Sequence, residues 1–201
     1  MKKLIFTCGV MALLLAFSTP VSAGGWTHTV VKGDTMWKIA SEYRVGTSEL
    51  IRANPQIGNP DLIYPGQVLH IPQQDSSVLA FEKEVIRLVN EERAEYGLKA
   101  LSENWQLSRV ARYKSQDMAD NHYFSHTSPT YGSPFQMIRA FGLTFRSAGE
   151  NIAYGQRTPQ AVVNAWMRSS GHRANILNAS YTQIGVGYVS DGHYWTQMFI
   201  G

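Results

Sequence analysis

Val31-Lys32-Gly33-Asp34-Thr35-Met36-Trp37-Lys38-Ile39-Ala40 passes from strand to turn to helix within ten residues and sets the architecture of the first half of the chain. It begins inside a short β-branched run at residues 28–31, turns at Gly33-Asp34, and then changes period. Met36, Ile39, Ala40 and Tyr43 recur at helical spacing, and either Asp34 or Thr35 offers the side-chain oxygen that caps such a helix. Trp37 lies on the same helix and is read as core beside Ile39 and Ala40. Further on, Thr47 or Ser48 caps a second helix through Leu50 and Ile51, and Asn54-Pro55 stops it. A loop through Asn59, Pro60, Asp61 and Leu62 follows, and Tyr64-Pro65-Gly66 turns into a last strand at residues 67–71. The result is a βααβ unit over residues 28–72. At about 45 residues it has little core to spare, so every cap and turn has to agree with the fold.

Upstream, Lys2 and Lys3 precede an apolar run at residues 4–17, and Val21-Ser22-Ala23 places small residues where a signal peptidase reads. Residues 1–23 are therefore expected to be a cleaved secretion signal, with an apolar run shorter than the roughly 20 residues of a membrane span. The single cysteine, Cys8, leaves with it, so the mature chain is expected to have no disulfide and no thiol chemistry. Charge changes too. Of 18 basic residues two go and none of the 15 acidic ones do, which leaves 16 against 15, a net +1. No basic cluster remains to track phosphates, so nucleic acid is excluded as a partner and neutral polymers or apolar groups are expected. No membrane partner is expected after cleavage.

Downstream, the polar stretch Gln73-Gln74-Asp75-Ser76-Ser77 after Pro72 reads as a linker over residues 73–78. Residues 79–201 form a second domain. A helix over 79–96 sets Val85, Ile86, Leu88 and Val89 inward and Glu82, Lys83, Glu91 and Glu92 outward, and Gly97 ends it. A second helix over 103–121 carries Leu107, Val110, Ala111 and Met118 inward. Thr158 caps a third, with Pro159 at its first position. Strands at 184–189 and 194–199 are joined by the turn Ser190-Asp191-Gly192. Helices mixed with a mostly antiparallel sheet predict an α+β sandwich.

Two resemblances follow from these blocks. The opening stretch, together with Leu50-Ile51-Arg52-Ala53-Asn54-Pro55 and Ile63-Tyr64-Pro65-Gly66-Gln67, closely resembles the LysM family across the whole unit. The resemblance implies binding of N-acetylglucosamine polymers such as peptidoglycan, through two loops lying side by side: Gly33, Asp34, Thr35 and Met36 in one, Asn59, Pro60, Asp61, Leu62 and Ile63 in the other. One such module binds weakly alone. In the second domain, Tyr123-Phe124-Ser125-His126, Gly149-Glu150-Asn151-Ile152-Ala153, the run Trp166-Met167-Arg168-Ser169-Ser170-Gly171-His172-Arg173-Ala174-Asn175-Ile176-Leu177-Asn178, Ile184-Gly185-Val186-Gly187 and Tyr194-Trp195-Thr196-Gln197 resemble the bacterial branch of the CAP superfamily, also called the SCP-like extracellular domain. That sharpens the expected fold to an α-β-α sandwich.

The CAP resemblance implies a cleft with His126, Glu150 and His172. Two neutral imidazoles can hold a divalent ion such as zinc, and a carboxylate can orient a histidine or act on bound water. Some members carry a second acid where this chain has Ser169, a departure that weakens a hydrolytic assignment. Against the metal stands a plainer reading, in which His126 and Glu150 bond to each other and lock two loops. His122 and His193 are read as solvent-facing, Asn151 as satisfying backbone, and the aromatic set Tyr123, Phe124, Trp166 and Trp195 as core. Three functions stay open. The leading one is a secreted wall-binding or spore-associated protein with LysM as anchor and the CAP domain as a binding module. The others are a metal-dependent extracellular hydrolase with Glu150 as general base, and a carrier of apolar ligands.

Overall fold

The computed structural model describes residues 25–201. The expected signal at residues 1–23 lies outside them. In chain order the first unit holds β1 (Thr27–Thr29), α1 (Met36–Glu42), α2 (Thr47–Arg52) and β2 (Val68–His70). β1 and β2 pair antiparallel, with His28 opposite Leu69, and the βααβ order is the one the sequence predicts. Thr35 caps α1, its Oγ1 accepting from the Lys38 amide at 3.2 Å. Gly46, not Thr47 or Ser48, stands at the N-cap of α2, and no side chain caps it.

Val30, Met36, Ile39, Ala40, Leu50, Leu69 and Ile71 form the core of this unit. Buried Asn54 stitches it together. Its Nδ2 donates to the Leu50 and His70 carbonyls, both at 2.8 Å, and its Oδ1 accepts from the His70 amide at 2.7 Å. Trp37 does not belong to that core: it is 65% exposed. The helix buries a stripe through Met36, Ile39 and Ala40, and the next residue after Met36 is rotated about 100° off that stripe.

The second unit holds α3 (Ser76–Glu95), β3 (Ser102–Glu103), α4 (Trp105–Asp120), α5 (Pro134–Ala140), β4 (Ala148–Tyr154), α6 (Pro159–Arg168), α7 (Ser170–Ile176), β5 (Gln183–Val189) and β6 (Tyr194–Ile200). α3 starts at Ser76, inside the stretch read as linker, because Asp75 caps it by accepting from the Ser77 amide at 2.7 Å. The sheet order is β3-β5-β6-β4, antiparallel except for the short β3–β5 pair.

Side chains alternate across this sheet. Ile184, Val186, Tyr188, Trp195 and Phe199 pack with residues of α3, α6 and α7, while Met198 and Ile200 pack with α4 and α5. Two separate cores on opposite faces make the expected α-β-α sandwich. Gly185 and Gly187 let α4 lie directly on β5: a Cβ at Gly187 would stand 2.1 Å from the Arg112 nitrogen.

Glu82 is not on the solvent face of α3. It is 2% exposed and takes a bidentate Arg112, with Nη2 to Oε2 at 2.6 Å, plus the Tyr188 amide at 3.2 Å. A buried carboxylate is tolerated when its acceptors are filled. The partner lies on another helix, beyond the reach of an amphipathicity pattern.

Candidate functional site

The first candidate site is the loop pair of the βααβ unit. Val30 pairs with the entry to β2, accepting from the Gly66 amide at 2.9 Å and donating to the Gln67 carbonyl at 2.8 Å. The loop leaving β1 and the loop entering β2 therefore open at the same end of the hairpin. In the first loop Gly33 has φ of 97°, a conformation glycine adopts without a steric penalty. The Asp34 carboxylate accepts from the Val31 amide at 2.8 Å and pairs with His28 Nε2 at 2.9 Å, which together hold its pKa below the usual value. Met36 is buried at 4%, so its side chain belongs to the core and only its backbone can serve a ligand.

In the second loop Asn59 Oδ1 accepts from the Asp61 amide at 3.1 Å, and Asp61 is exposed. Pro60 and Ile63 are half-buried, Ile63 against the core, and Leu62 is 52% exposed. The exposed apolar side chain of Leu62 beside loop backbone suits an N-acetyl group, which brings one methyl and one carbonyl.

The second candidate site is a groove of about 550 Å³ along the open edge of β4, lined in part by His126, Ser169 and His172. Each wall has a local cause. α4 ends at Asn121, and His122, with φ of 52°, turns the chain back so that the Tyr123 amide donates to the Met118 carbonyl at 3.2 Å. The returning loop is held from inside α4 by two buried charges. Lys114 Nζ donates to the Ser125 carbonyl at 2.7 Å, to the His126 carbonyl at 3.0 Å and to the Tyr123 hydroxyl at 3.0 Å. Asp117 accepts from Ser128 Oγ at 2.7 Å, Thr130 Oγ1 at 2.5 Å and the Tyr123 hydroxyl.

His126 is thus presented to Glu150 on β4, Nδ1 to Oε1 at 2.7 Å. Burial raises the Glu150 pKa above its ordinary value, against the opposing pull of His126 and Lys114. Its Oε2 is buried with no hydrogen-bond partner.

The other wall is α7. Ser169 is extended and separates α6 from α7. Asn151 and Asn175 pin α7 to β4: Asn151 Nδ2 donates to the His172 carbonyl at 3.1 Å, and Asn175 Nδ2 donates to Asn151 Oδ1 at 2.8 Å and to the Glu150 carbonyl at 3.1 Å. Burial, and then the charge of His126, lower the His172 pKa, which favours a neutral imidazole.

His126 and His172 therefore line one groove, with Glu150 buried behind His126, while among the described residues no group of three or more metal-ligating side chains converges. Two imidazoles face the groove, and the Glu150 carboxylate bonds the first of them from behind. Trp166 and Trp195 are core as expected, but Phe124 is 53% exposed and lines the groove. His193 is half-buried and bonds the Tyr188 hydroxyl at 2.7 Å, so it is not solvent-facing as expected. Lys114 and Asp117 escape the sequence reading, although one signal was present: Lys114 interrupts the apolar stripe of Val110, Ala111 and Met118.

A βααβ hairpin unit followed by a helix-covered sheet with a carboxylate-backed histidine at its open edge defines a two-module protein of LysM and SCP type. The chain belongs to the CAP family, described as the cysteine-rich secretory protein family, which matches residues 86–199, and it carries a LysM domain at residues 28–72. It is 60% identical over 126 residues to the uncharacterized protein YkwD of Bacillus subtilis (strain 168), covering 63% of this chain and 49% of that one. It is 47% identical over 47 residues to SpoIVD-associated factor A of the same organism, covering 23% of this chain and 12% of that one.

A crystal structure of an extracellular protein containing a SCP domain from Bacillus anthracis str. Ames is similar at a TM-score of 0.60 and 30% identity. That match covers 78% of this chain and 50% of the other. The chain thus spans about half the length of YkwD and of that SCP-domain protein.

Proposed function

We propose that this protein is secreted and held on peptidoglycan by its LysM domain, with the CAP domain acting there as a binding module. The observation that carries the reading is the loop pair at one end of the β1–β2 hairpin, with the left-handed turn at Gly33 in one loop and the exposed Leu62 in the other. The LysM match supports N-acetylglucosamine glycans as ligand, and the extracellular SCP-domain neighbour supports export. The similarity to SpoIVD-associated factor A extends the proposal to the spore envelope as well as the vegetative wall. Sedimentation of residues 25–201 with insoluble peptidoglycan tests it. Leu62→Asp, on an exposed position, is expected to leave the protein folded and in the supernatant. Equal retention of both forms would remove the second loop from the account.

One observation favours a second reading, a metal-dependent hydrolase: Glu150 is buried with one oxygen on His126 and the other unpartnered. His126 through its free Nε2 and His172 would hold a divalent ion such as zinc, and Glu150 would fix the His126 ring and tautomer. A bound zinc lowers the pKa of its water toward neutrality. Zinc content after equilibration and desalting checks it: about one ion per chain is expected for the native protein, with loss in His126→Ala. Equal content in both would refute this reading.

A further inference from the structure

Where the two units meet, the LysM domain is fastened to the CAP domain through one carboxylate. Glu49 on α2 receives Arg109 of α4, Nε to Oε1 at 2.6 Å and Nη2 to Oε2 at 2.8 Å, and the Tyr113 hydroxyl donates to Oε1 at 2.9 Å. Arg52 donates to that hydroxyl at 2.9 Å. The Arg109 guanidinium also lies over the Phe141 ring at 5.0 Å, so charge and cation-π contacts converge on one side chain.

Beside this clasp runs a groove of about 470 Å³. The LysM side contributes Trp37, Ser41 and Ser48, and the CAP side contributes Trp105, Gln106 and Arg109. Its chemistry is specific. Two indoles stand among hydroxyls and an amide, and Arg109, the only charged lining residue among the described residues, is neutralised by Glu49. Phosphates and acidic polymers find no free cation there. A sugar ring, with apolar C–H faces and hydroxyl edges, matches both kinds of surface.

Trp37 gives a second reason. It leaves 65% of its surface in water although it stands one residue after the Gly33–Met36 loop, and Lys38 Nζ ties the first turn of α1 back to the Gly33 carbonyl at 2.7 Å. The groove thus starts next to the loop that the glycan reading already uses.

We propose that this groove is a second saccharide subsite, built jointly by the two domains, which holds the continuation of an N-acetylglucosamine-containing strand seated on the LysM loops. It rests on the glycan reading above. It makes the CAP domain part of the glycan site and sets its orientation along the strand.

Calorimetric titration of residues 25–201 with a trimer and a hexamer of N-acetylglucosamine tests it. The hexamer is expected to bind about tenfold tighter than the trimer, the size of one good aromatic contact and more than the few-fold gain of extra binding registers. Trp105→Ala and Gln106→Ala should remove that gain and leave the trimer affinity unchanged, with Trp105→Phe restoring most of it. Trp37→Ala, at an exposed position, carries the test if Trp105→Ala fails to fold. A native protein with no gain for the hexamer, variants that keep the gain, or equal losses for both oligomers would each overturn the proposal. Failure of the native protein to bind either oligomer would instead bring down the glycan reading itself.

Discussion

Lys114 and His126 are fastened through the backbone: the Lys114 ammonium, 1% exposed inside α4, donates to the His126 carbonyl at 3.0 Å. The same ammonium takes the Ser125 carbonyl and the Tyr123 hydroxyl, so one side chain sets the position of the cleft histidine. Lys114→Met removes the donor and leaves two carbonyls and the Tyr123 hydroxyl without their ammonium partner, and stability should fall by about 3 kcal/mol. Hydrogen exchange checks the site of the effect. Amides of residues 122–132 should exchange faster while those of residues 27–71 stay as they were.

Asn54→Ala is expected to cost about 2–3 kcal/mol, because it strips four side-chain hydrogen bonds, three of them to backbone, from a unit with a small core. Calorimetry should show the LysM transition moving to lower temperature while the CAP transition holds. Retention on peptidoglycan should be lost at temperatures between the two.

Glu49 supplies a pH dependence. Burial pushes its carboxyl up, but hydrogen bonds from Arg109, Ser48 and Tyr113 outweigh that and hold it at about 2. A depressed carboxylate stabilises the folded arrangement fully above its unfolded value of about 4.3 and loses that contribution as pH falls through its folded value. The domain clasp should therefore stay closed from neutral pH to about 4 and loosen toward about 2. Small-angle scattering should report an increase in radius over that window, and Glu49→Gln should show the looser form at neutral pH.

Gly187→Ala tests the seating of α4 on the sheet. The new methyl would meet backbone of Ala111 and Arg112 at 2.1–2.2 Å, atoms that cannot rotate away. Overpacking of this kind should cost about 3 kcal/mol in denaturant unfolding. Gly171→Ala, in open space on α7, should cost nothing or stabilise slightly.

Local signals made part of this legible. Thr35, Pro159 and the 190–192 turn are read correctly because a cap, a fixed φ and a tight turn are properties of a few neighbouring residues. β4 and α7 were not read as elements, and the reason is physical. Gly149, Glu150 and Asn151 are poor strand formers, and it is pairing with β6 that makes them a strand. α7 begins Ser170-Gly171 with no side-chain cap and is held instead by Asn151 and Asn175 against β4.

The sequence pattern sets Glu82 outward and Trp37 inward, and the structure reverses both. Burial of the first depends on Arg112, thirty residues away, and exposure of the second follows from one step of helical rotation. Among the cleft residues, the His126–Glu150–His172 set came through resemblance to other chains, whereas the Lys114 and Asp117 support that positions it needed the tertiary structure.

The proposed function requires that the LysM loops hold N-acetylglucosamine glycan. Titrating isotope-labelled residues 25–201 with an N-acetylglucosamine oligomer and following amide chemical shifts tests it most directly. Saturable shifts are expected, concentrated at Gly33, Asp34 and Thr35 and at residues 59–63. Shifts confined to the β4 groove, or no shifts at any oligomer concentration, would contradict it.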